Sequence, residues 1–282
     1  MIRKQIICLA IVLASISIHS SNVFSDAEEK FHQTYPVASD ASVDVENRNG
    51  KVYICMWDKD YVDVFALKRT KEDRDELDKI TIQVNTNGVL RIRTVYPDKR
   101  DEEDSFFKRI FSWRNNSYPQ VTVDYTIKLP RTVSLRRAEV RNGCLELHST
   151  QGETTVYTRN GSIVLDDVDR CVEAETRNGE ITIIRGTRIK TIRTRNGDIH
   201  AILSEMNDNN SSFTSRNGSV NLNVPPDINA CIDLQTRNGN ISTKKISLLL
   251  DTVSKQHVIG KLGAGGKTIS VVTRNGNISM NY

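Results

Sequence analysis

The chain has 282 residues, 38% of them hydrophobic and only 6% aromatic, and a formal net charge of +4. Setting aside Arg3 and Lys4, which stand in a leader segment, leaves +2, so charge makes no case for a nucleic-acid partner. About 255 residues behind the leader suit one or two domains, and regular but ring-poor apolar content points to a thin, elongated core.

The leader comes first. Arg3 and Lys4 precede an apolar stretch from Ile6 to Ile18, followed by small polar residues. That stretch is too short for a bilayer core of roughly 30 Å. The order basic, apolar, small-polar predicts a secretory signal peptide over 1–25, with Val23 and Ser25 at the small positions of the cleavage site. A cut after Ala27 is the alternative. Cleavage leaves no transmembrane span and places the mature chain outside the cytoplasm, in the periplasm, on the cell surface or secreted.

Residues 26–140 read as an irregular N-terminal β region. Arg48-Asn49-Gly50 is the first of eight Arg-Asn-Gly tripeptides. Asn87-Gly88, followed by Leu90 and Ile92, keeps part of that pattern without the arginine. Val121 to Leu129 alternates like a strand and stops at Pro130. Charged insertions at 69–79 and 97–104 read as solvated loops. Phe106, Phe107, Ile110, Phe111 and Trp113 form an aromatic cluster, read as a cap over an open sheet end or as a contact site for a membrane or partner.

Residues 141–282 carry the regular repeat. The tripeptides start at Arg141, Arg159, Arg177, Arg195, Arg216, Arg237 and Arg274, in steps of 18, 18, 18, 21, 21 and 37 residues. With the arginine as position 0, position −3 is apolar in all eight units, from Val45 to Val271, and position +4 is apolar in all eight, from Val52 to Ile278. Position −1 is Thr or Ser in six units, and position +6 is mostly Ile or Leu. Each pair has the period of two of a strand, and the parity flips at Asn-Gly. A flip means a corner, and Asn and Gly take its backbone most easily. The corner residues are Asn142 and Gly143, Asn160 and Gly161, Asn178 and Gly179, Asn196 and Gly197, Asn217 and Gly218, Asn238 and Gly239, Asn275 and Gly276. The prediction is an all-β, single-chain β-solenoid of parallel stacked short strands with coils of 18–21 residues. An antiparallel β-sandwich of hairpins is the alternative, because Asn-Gly is also a hairpin signal. In a solenoid the asparagines form a ladder of side-chain amides.

Four cysteines follow the leader: Cys55, Cys144, Cys171 and Cys231. Cys171 and Cys231 each stand six residues before an Arg-Asn-Gly, which puts them in one column three coils apart, about 14 Å at strand spacing and beyond disulfide reach. They read as buried thiols. The segment from Gly260 to Thr268 resembles a phosphate loop, but Lys261 stands where a glycine is required. It reads as a turn feeding the last strand.

The whole mature chain resembles the bacterial β-strand-repeat family of candidate adhesins, whose function is unknown. The residues that carry the resemblance are the Thr-Arg-Asn-Gly-x-Ile units, the segment from Val123 to Pro130 leading to Arg141, the segment from Val220 to Pro225 leading to Arg237, and the closing Arg-Asn-Gly-Asn-Ile unit. The resemblance implies an adhesin-like role and brings no catalytic residues.

Motifs for chemistry are thin. The histidines show no His-x-His or His-Glu-x-x-His spacing, Asp58, Asp60 and Asp63 lack the glycine and distal glutamate of a calcium loop, and no Gly-x-Ser-x-Gly occurs. No catalytic residue, metal site or cofactor is therefore assigned. The arginine column Arg141, Arg159, Arg177, Arg195, Arg216, Arg237 and Arg274 is the candidate row for a polyanion or other ligand, since guanidinium binds sulfate and phosphate groups bidentately. Glu46, Glu139, Glu175, Glu180 and Asp198 stand near enough in sequence to neutralise part of it. The expected function is an exported, non-enzymatic, adhesin-like protein presenting a repetitive β surface to a glycan or an envelope protein. A self-associating scaffold of the cell envelope is the second reading, and a polysaccharide-active β-helix enzyme the third.

Overall fold

A computed structural model of the protein describes residues 26–86, 88–97, 120–150, 152–205 and 209–282. The leader 1–25, most of the second charged insertion and the cluster Phe106, Phe107, Ile110, Phe111 and Trp113 lie outside the described residues.

The elements run in chain order as β1 (Ala27–Pro36), β2 (Ser42–Asn49), β3 (Val52–Trp57), β4 (Tyr61–Thr70), the one-turn helix α1 (Asp75–Asp78), β5 (Thr81–Asn85), β6 (Leu90–Val95) and β7 (Val121–Pro130). The repeats supply β8 (Ser134–Asn142), β9 (Leu145–His148), β10 (Thr154–Asn160), β11 (Ile163–Asp166), β12 (Asp169–Asn178), β13 (Ile181–Asn196), β14 (Ile199–Glu205), β15 (Ser211–Asn217) and β16 (Val220–Asn223). The C-terminal part supplies β17 (Ala230–Asn238), β18 (Ile241–Lys245), β19 (Leu249–Val253), β20 (His257–Leu262), β21 (Thr268–Asn275) and β22 (Ile278–Asn281).

These strands make a β-solenoid with two long faces. On one face stand the strands that precede each Asn-Gly corner, stacked in parallel as β6, β2, β8, β10, β12, the second half of β13, β15, β21 and β17. On the other stand the strands that follow it, as β7, β3, β9, β11, the first half of β13, β14, β16, β22 and β18. Like residues face like residues across the rungs; Asn160 pairs with both Asn142 and Asn178. The inward columns form the core: Ala174, Ile192, Phe213 and Val271 at −3, and Ile163, Ile181, Ile199 and Val220 at +4, are all buried. Ile241 at +4 is only half-buried, because β18 is the last rung of its face.

The parallel ladder crosses residue 141 without a break, since β2 and β3 stack on β8 and β9. Among the described residues antiparallel pairing appears only at the ends. β4 and β1 extend the β7 edge, β5 extends the β6 edge, and β20 with β19 extends the β17 edge. β5 and β6 are a hairpin with Gly88 in its connection, so this copy of the motif serves the hairpin that Asn-Gly also encodes. Leu90 and Ile92 consequently pair with Val43 and Val45, on the face before the corner rather than after it. The first charged insertion is built in rather than looped out: α1 turns Leu77 into the core, and the buried Lys68 donates to Glu29 at 3.0 Å and to the Leu77 carbonyl at 3.3 Å.

The stacking order departs from chain order at both ends: β6 and β7 lie outside β2 and β3, and the last coil is intercalated. β21 lies between β15 and β17, and β22 lies between β16 and β18. The last coil of the chain is therefore the penultimate rung of the solenoid. Cys171 and Cys231 are accordingly four rungs apart rather than three, about 19 Å. Cys231 is half-buried and free, because an even position before the corner faces outward. Cys55 is half-buried and Cys144 exposed, both free. The glycine-rich segment turns β20 into β21.

Candidate functional site

The corners hold the arginine row in register. Each corner glycine lets two backbones approach closely: a Cβ on Gly161 would lie 2.0 Å from the carbonyl oxygen of Gly143, and one on Gly179 would lie 2.0 Å from that of Gly161. No side chain fits there, whatever the backbone angle. Gly88, in the hairpin, would meet nothing within 4 Å. Outside the glycines runs an amide ladder. Asn160 donates to Asn142 at 2.8 Å, Asn178 to Asn160 at 2.7 Å, Asn196 to Asn178 at 2.6 Å and Asn217 to Asn196 at 2.7 Å. Asn142 continues it to Asn49 at 2.8 Å, and Asn275 and Asn238 continue it at the other end, both at 2.7 Å. Inside the glycines runs a hydroxyl ladder. Thr176 donates to the Gly161 carbonyl at 3.0 Å, Thr194 to Gly179 at 3.0 Å, Ser215 to Gly197 at 3.0 Å and Thr273 to Gly218 at 2.8 Å. Thr or Ser at an inward position thus has a partner for its hydroxyl and carries no desolvation penalty.

Between the two ladders the arginines have nowhere to go but out. Arg141, Arg177, Arg195, Arg216, Arg237 and Arg274 are exposed and Arg159 is half-buried. In space their order is Arg141, Arg159, Arg177, Arg195, Arg216, Arg274, Arg237. Seven rungs at about 4.8 Å make a row about 29 Å long. Arg48 extends it by one rung and lies over the Tyr96 ring at 5.2 Å from its centroid.

The row lies in a run of three grooves that share residues. The first, about 760 Å³, holds Arg48, Arg141 and Arg159 beside Gln120 and Thr122. The second, about 480 Å³, is lined only by arginines and asparagines from Arg159 to Asn217. The third, about 630 Å³, holds Arg216, Arg274 and Arg237 with Gln256 and His257 as a wall.

Among the described residues no carboxylate oxygen comes within 4.0 Å of any of the seven row guanidiniums. The neighbouring acids turn elsewhere: Glu139 pairs with Arg137, Glu180 accepts from Thr182 at 3.0 Å, and Asp198 accepts from the Ser219 backbone at 2.7 Å. Guanidiniums held at rung spacing repel by about 0.9 kcal/mol per neighbouring pair in water. An anion laid along the row removes that repulsion. Among the described residues no group of three or more His, Cys, Asp or Glu could hold a metal ion, and no helix is long and apolar enough to cross a membrane.

A family model, Toastrack DUF4097, matches residues 132–281. The chain belongs to that family. The Toastrack match takes in all seven row arginines and their corners, and the β-solenoid described above is the Toastrack fold. No curated protein matches. Among solved structures, a candidate adhesin from Bacteroides fragilis NCTC 9343 is similar at 10% identity and a TM-score of 0.41, over 89% of this chain and 97% of that one. A candidate cell adhesion protein from Clostridium sporogenes ATCC 15579 has 13% identity and a TM-score of 0.34, over 91% and 99%. A candidate lipid binding protein from Parabacteroides distasonis ATCC 8503 has 11% identity and a TM-score of 0.30, over 90% and 97%. At such scores these three carry no argument about this chain.

Sequence columns single out the arginines and the corner residues. They do not reveal Gln256, His257 or the place of Arg274. Those depend on the intercalated coil, which leaves no trace in the spacing except the long last step.

Proposed function

We propose that this Toastrack protein is an exported, non-enzymatic, adhesin-like protein that binds a polyanionic glycan along its arginine row. The supporting observation is a row of seven guanidiniums, about 29 Å long, in a trough and free of carboxylates within 4.0 Å among the described residues. Arginine on a rigid edge suits sulfate and phosphate groups, which accept two parallel hydrogen bonds from one guanidinium.

The test is retention of the mature protein on immobilised heparin or lipopolysaccharide across a salt gradient. Retention should fall as salt screens the row, and Arg177, Arg195 and Arg216 changed together to Ser should elute earlier. Equal retention of both proteins sinks the reading. Fractionation with protease treatment of intact cells tests the location, since adhesion requires a chain outside the cytoplasm.

A second reading, self-association as an envelope scaffold, is favoured by the open C-terminal edge. There β19 exposes Leu249, Leu250 and Val253, and an edge strand with apolar side chains is a template for pairing. A molecular mass that rises with concentration supports it; a constant monomer rejects it.

A further inference from the structure

The intercalation of the last coil makes one stretch of the row unlike the rest. Arg274 is 37 residues beyond Arg237 and 58 beyond Arg216, yet Asn275 pairs with both Asn217 and Asn238, so Arg274 sits between the other two arginines. Three consecutive arginines then line one groove of about 630 Å³.

The residues beside these three rungs also differ. At three of the other four rungs acids flank the row: Glu139 at −2 beside Arg141, Glu175 at −2 and Glu180 at +3 beside Arg177, and Asp198 at +3 beside Arg195; Arg159 has Tyr157 and Ser162 there. Beside Arg216, Arg274 and Arg237 the −2 residues are Thr214, Val272 and Gln235, and the +3 residues are Ser219, Asn277 and Asn240. Not one is acidic. The acid four positions before Arg237 is Asp233, and it is held by His257 at 3.0 Å.

This groove has a wall tied to the row by hydrogen bonds. The β19–β20 turn is fixed by Ser254, whose backbone N–H donates to the His257 carbonyl at 2.8 Å, and by the His257 N–H, which donates to Ser254 Oγ at 2.9 Å. Gln256 ties the turn to the row by donating to the Arg237 carbonyl at 2.7 Å. The Gln256 carbonyl in turn accepts from the Thr236 N–H at 2.9 Å. Three cations, no flanking acid at −2 or +3 and a rigid wall make the most favourable place along the trough for an oxyanion.

We infer that Arg216, Arg274 and Arg237 form the principal subsite of the trough and take the sulfate or phosphate groups of a polymeric ligand. This rests on the polyanion reading above. The full mature chain and two variants of equal charge loss test it: R216S/R274S/R237S at the subsite and R141S/R159S/R177S at the other end. Affinity is measured against a heparin-derived hexasaccharide in one arm and inorganic polyphosphate of similar length in the other. The subsite variant should lose about tenfold or more, as expected for three lost oxyanion contacts, and the other variant about threefold or less. Discrimination in either arm supports the assignment, and the arm that shows it identifies sulfate or phosphate. Equal losses in both arms overturn the subsite but leave a uniform polyanion row standing. No binding by the unaltered chain in either arm overturns the polyanion reading itself. If the subsite variant melts early, R216K/R274K/R237K decides in its place. It keeps the charge and removes the bidentate fork, so a loss larger than that of R141K/R159K/R177K supports the subsite, and an equal loss overturns it.

Discussion

Asn275 donates its side-chain amide to Asn217 at 2.7 Å although 58 residues separate them, and Asn238 donates to Asn275 at 2.7 Å from the other side. The amide ladder therefore follows spatial order, not chain order. One side chain of the last coil joins two coils that are consecutive in sequence.

The ladder should contribute to the stability of the whole array. Asn178 donates to Asn160 at 2.7 Å and accepts from Asn196 at 2.6 Å. Asn178→Leu removes both bonds at an exposed site where water replaces them, so the cost should be about 1–2 kcal/mol rather than the larger penalty of a buried orphan. In a chain this size that lowers the melting temperature by roughly 2–8 °C in one cooperative transition. Unchanged melting would mean that the amides only decorate the corner.

Two glycines of the same motif should respond very differently to alanine. At Gly179 the new Cβ would stand 2.0 Å from the Gly161 carbonyl oxygen and 3.1 Å from the Ser162 nitrogen, both backbone atoms of the neighbouring coil. The coils must separate, and a loss of about 4 kcal/mol or more is expected. At Gly88 the Cβ meets open space, and only the positive φ of 80° resists it. Gly88→Ala should cost about 1 kcal/mol. Chemical denaturation of both variants checks the ratio; similar midpoints would deny the close approach of corner backbones.

Much of this architecture is legible in the sequence. The inward columns such as Ile192, Phe213 and Ile199 are read directly from a period of two whose parity flips at Asn-Gly. Thr176 stands in an inward column in the sequence, but its reason, the Gly161 carbonyl one coil away, needs the stacked geometry. Gly88 shows where local reading stops. The same motif serves a hairpin there and a corner elsewhere, and what decides is whether a second backbone lies against the glycine. Arg274 shows the other limit: residues 249–262 form an antiparallel hairpin outside β17, which frees the last coil to enter between β15 and β17. Nothing in local propensity encodes that choice.

The hydroxyl ladder predicts opposite signs at two positions of one column. Thr176→Val keeps the shape but leaves the Gly161 carbonyl without its 3.0 Å donor, a loss of about 1 kcal/mol. Val140 occupies the same column without a hydroxyl, next to the coil of Gly50. Val140→Thr should be neutral or gain up to about 1 kcal/mol. Denaturant midpoints for the pair check it, and equal losses would show that the column values bulk rather than hydrogen bonding.

High pH should attack the N-terminal end. Tyr96 donates to the Val121 carbonyl at 3.0 Å, and burial pushes its hydroxyl from 10.0 up to about 12. Burial also raises Tyr125, which shares a hydrogen bond with Thr94 at 2.7 Å. A folded-state pKa above the unfolded value gives stability that is whole below about pH 10 and is lost as pH rises through about 12. The loss attributable to Tyr96 is roughly 3 kcal/mol. Tyr96→Phe should flatten the fall in stability between those pH values, and a fall as steep as in the parent would assign it to other groups.

Removing the last coil should do more damage than removing a terminal segment usually does. A chain ending at Leu262 lacks β21 and β22, which are the partners of β15, β16, β17 and β18. It also loses the buried side chains of Ile269, Val271, Ile278 and Met280. At about 1.5–3 kcal/mol each these amount to roughly 6–12 kcal/mol, comparable with the whole stability of a typical domain. Direct contact of β15 with β17 would close the gap only if β17 moved together with β20 and β19, which pair outside it. The truncated chain should lose protection from proteolysis and hydrogen exchange across 211–262, while the coils before residue 200 retain more. Protection of 211–262 equal to that of the full chain would show that the intercalated rung is dispensable.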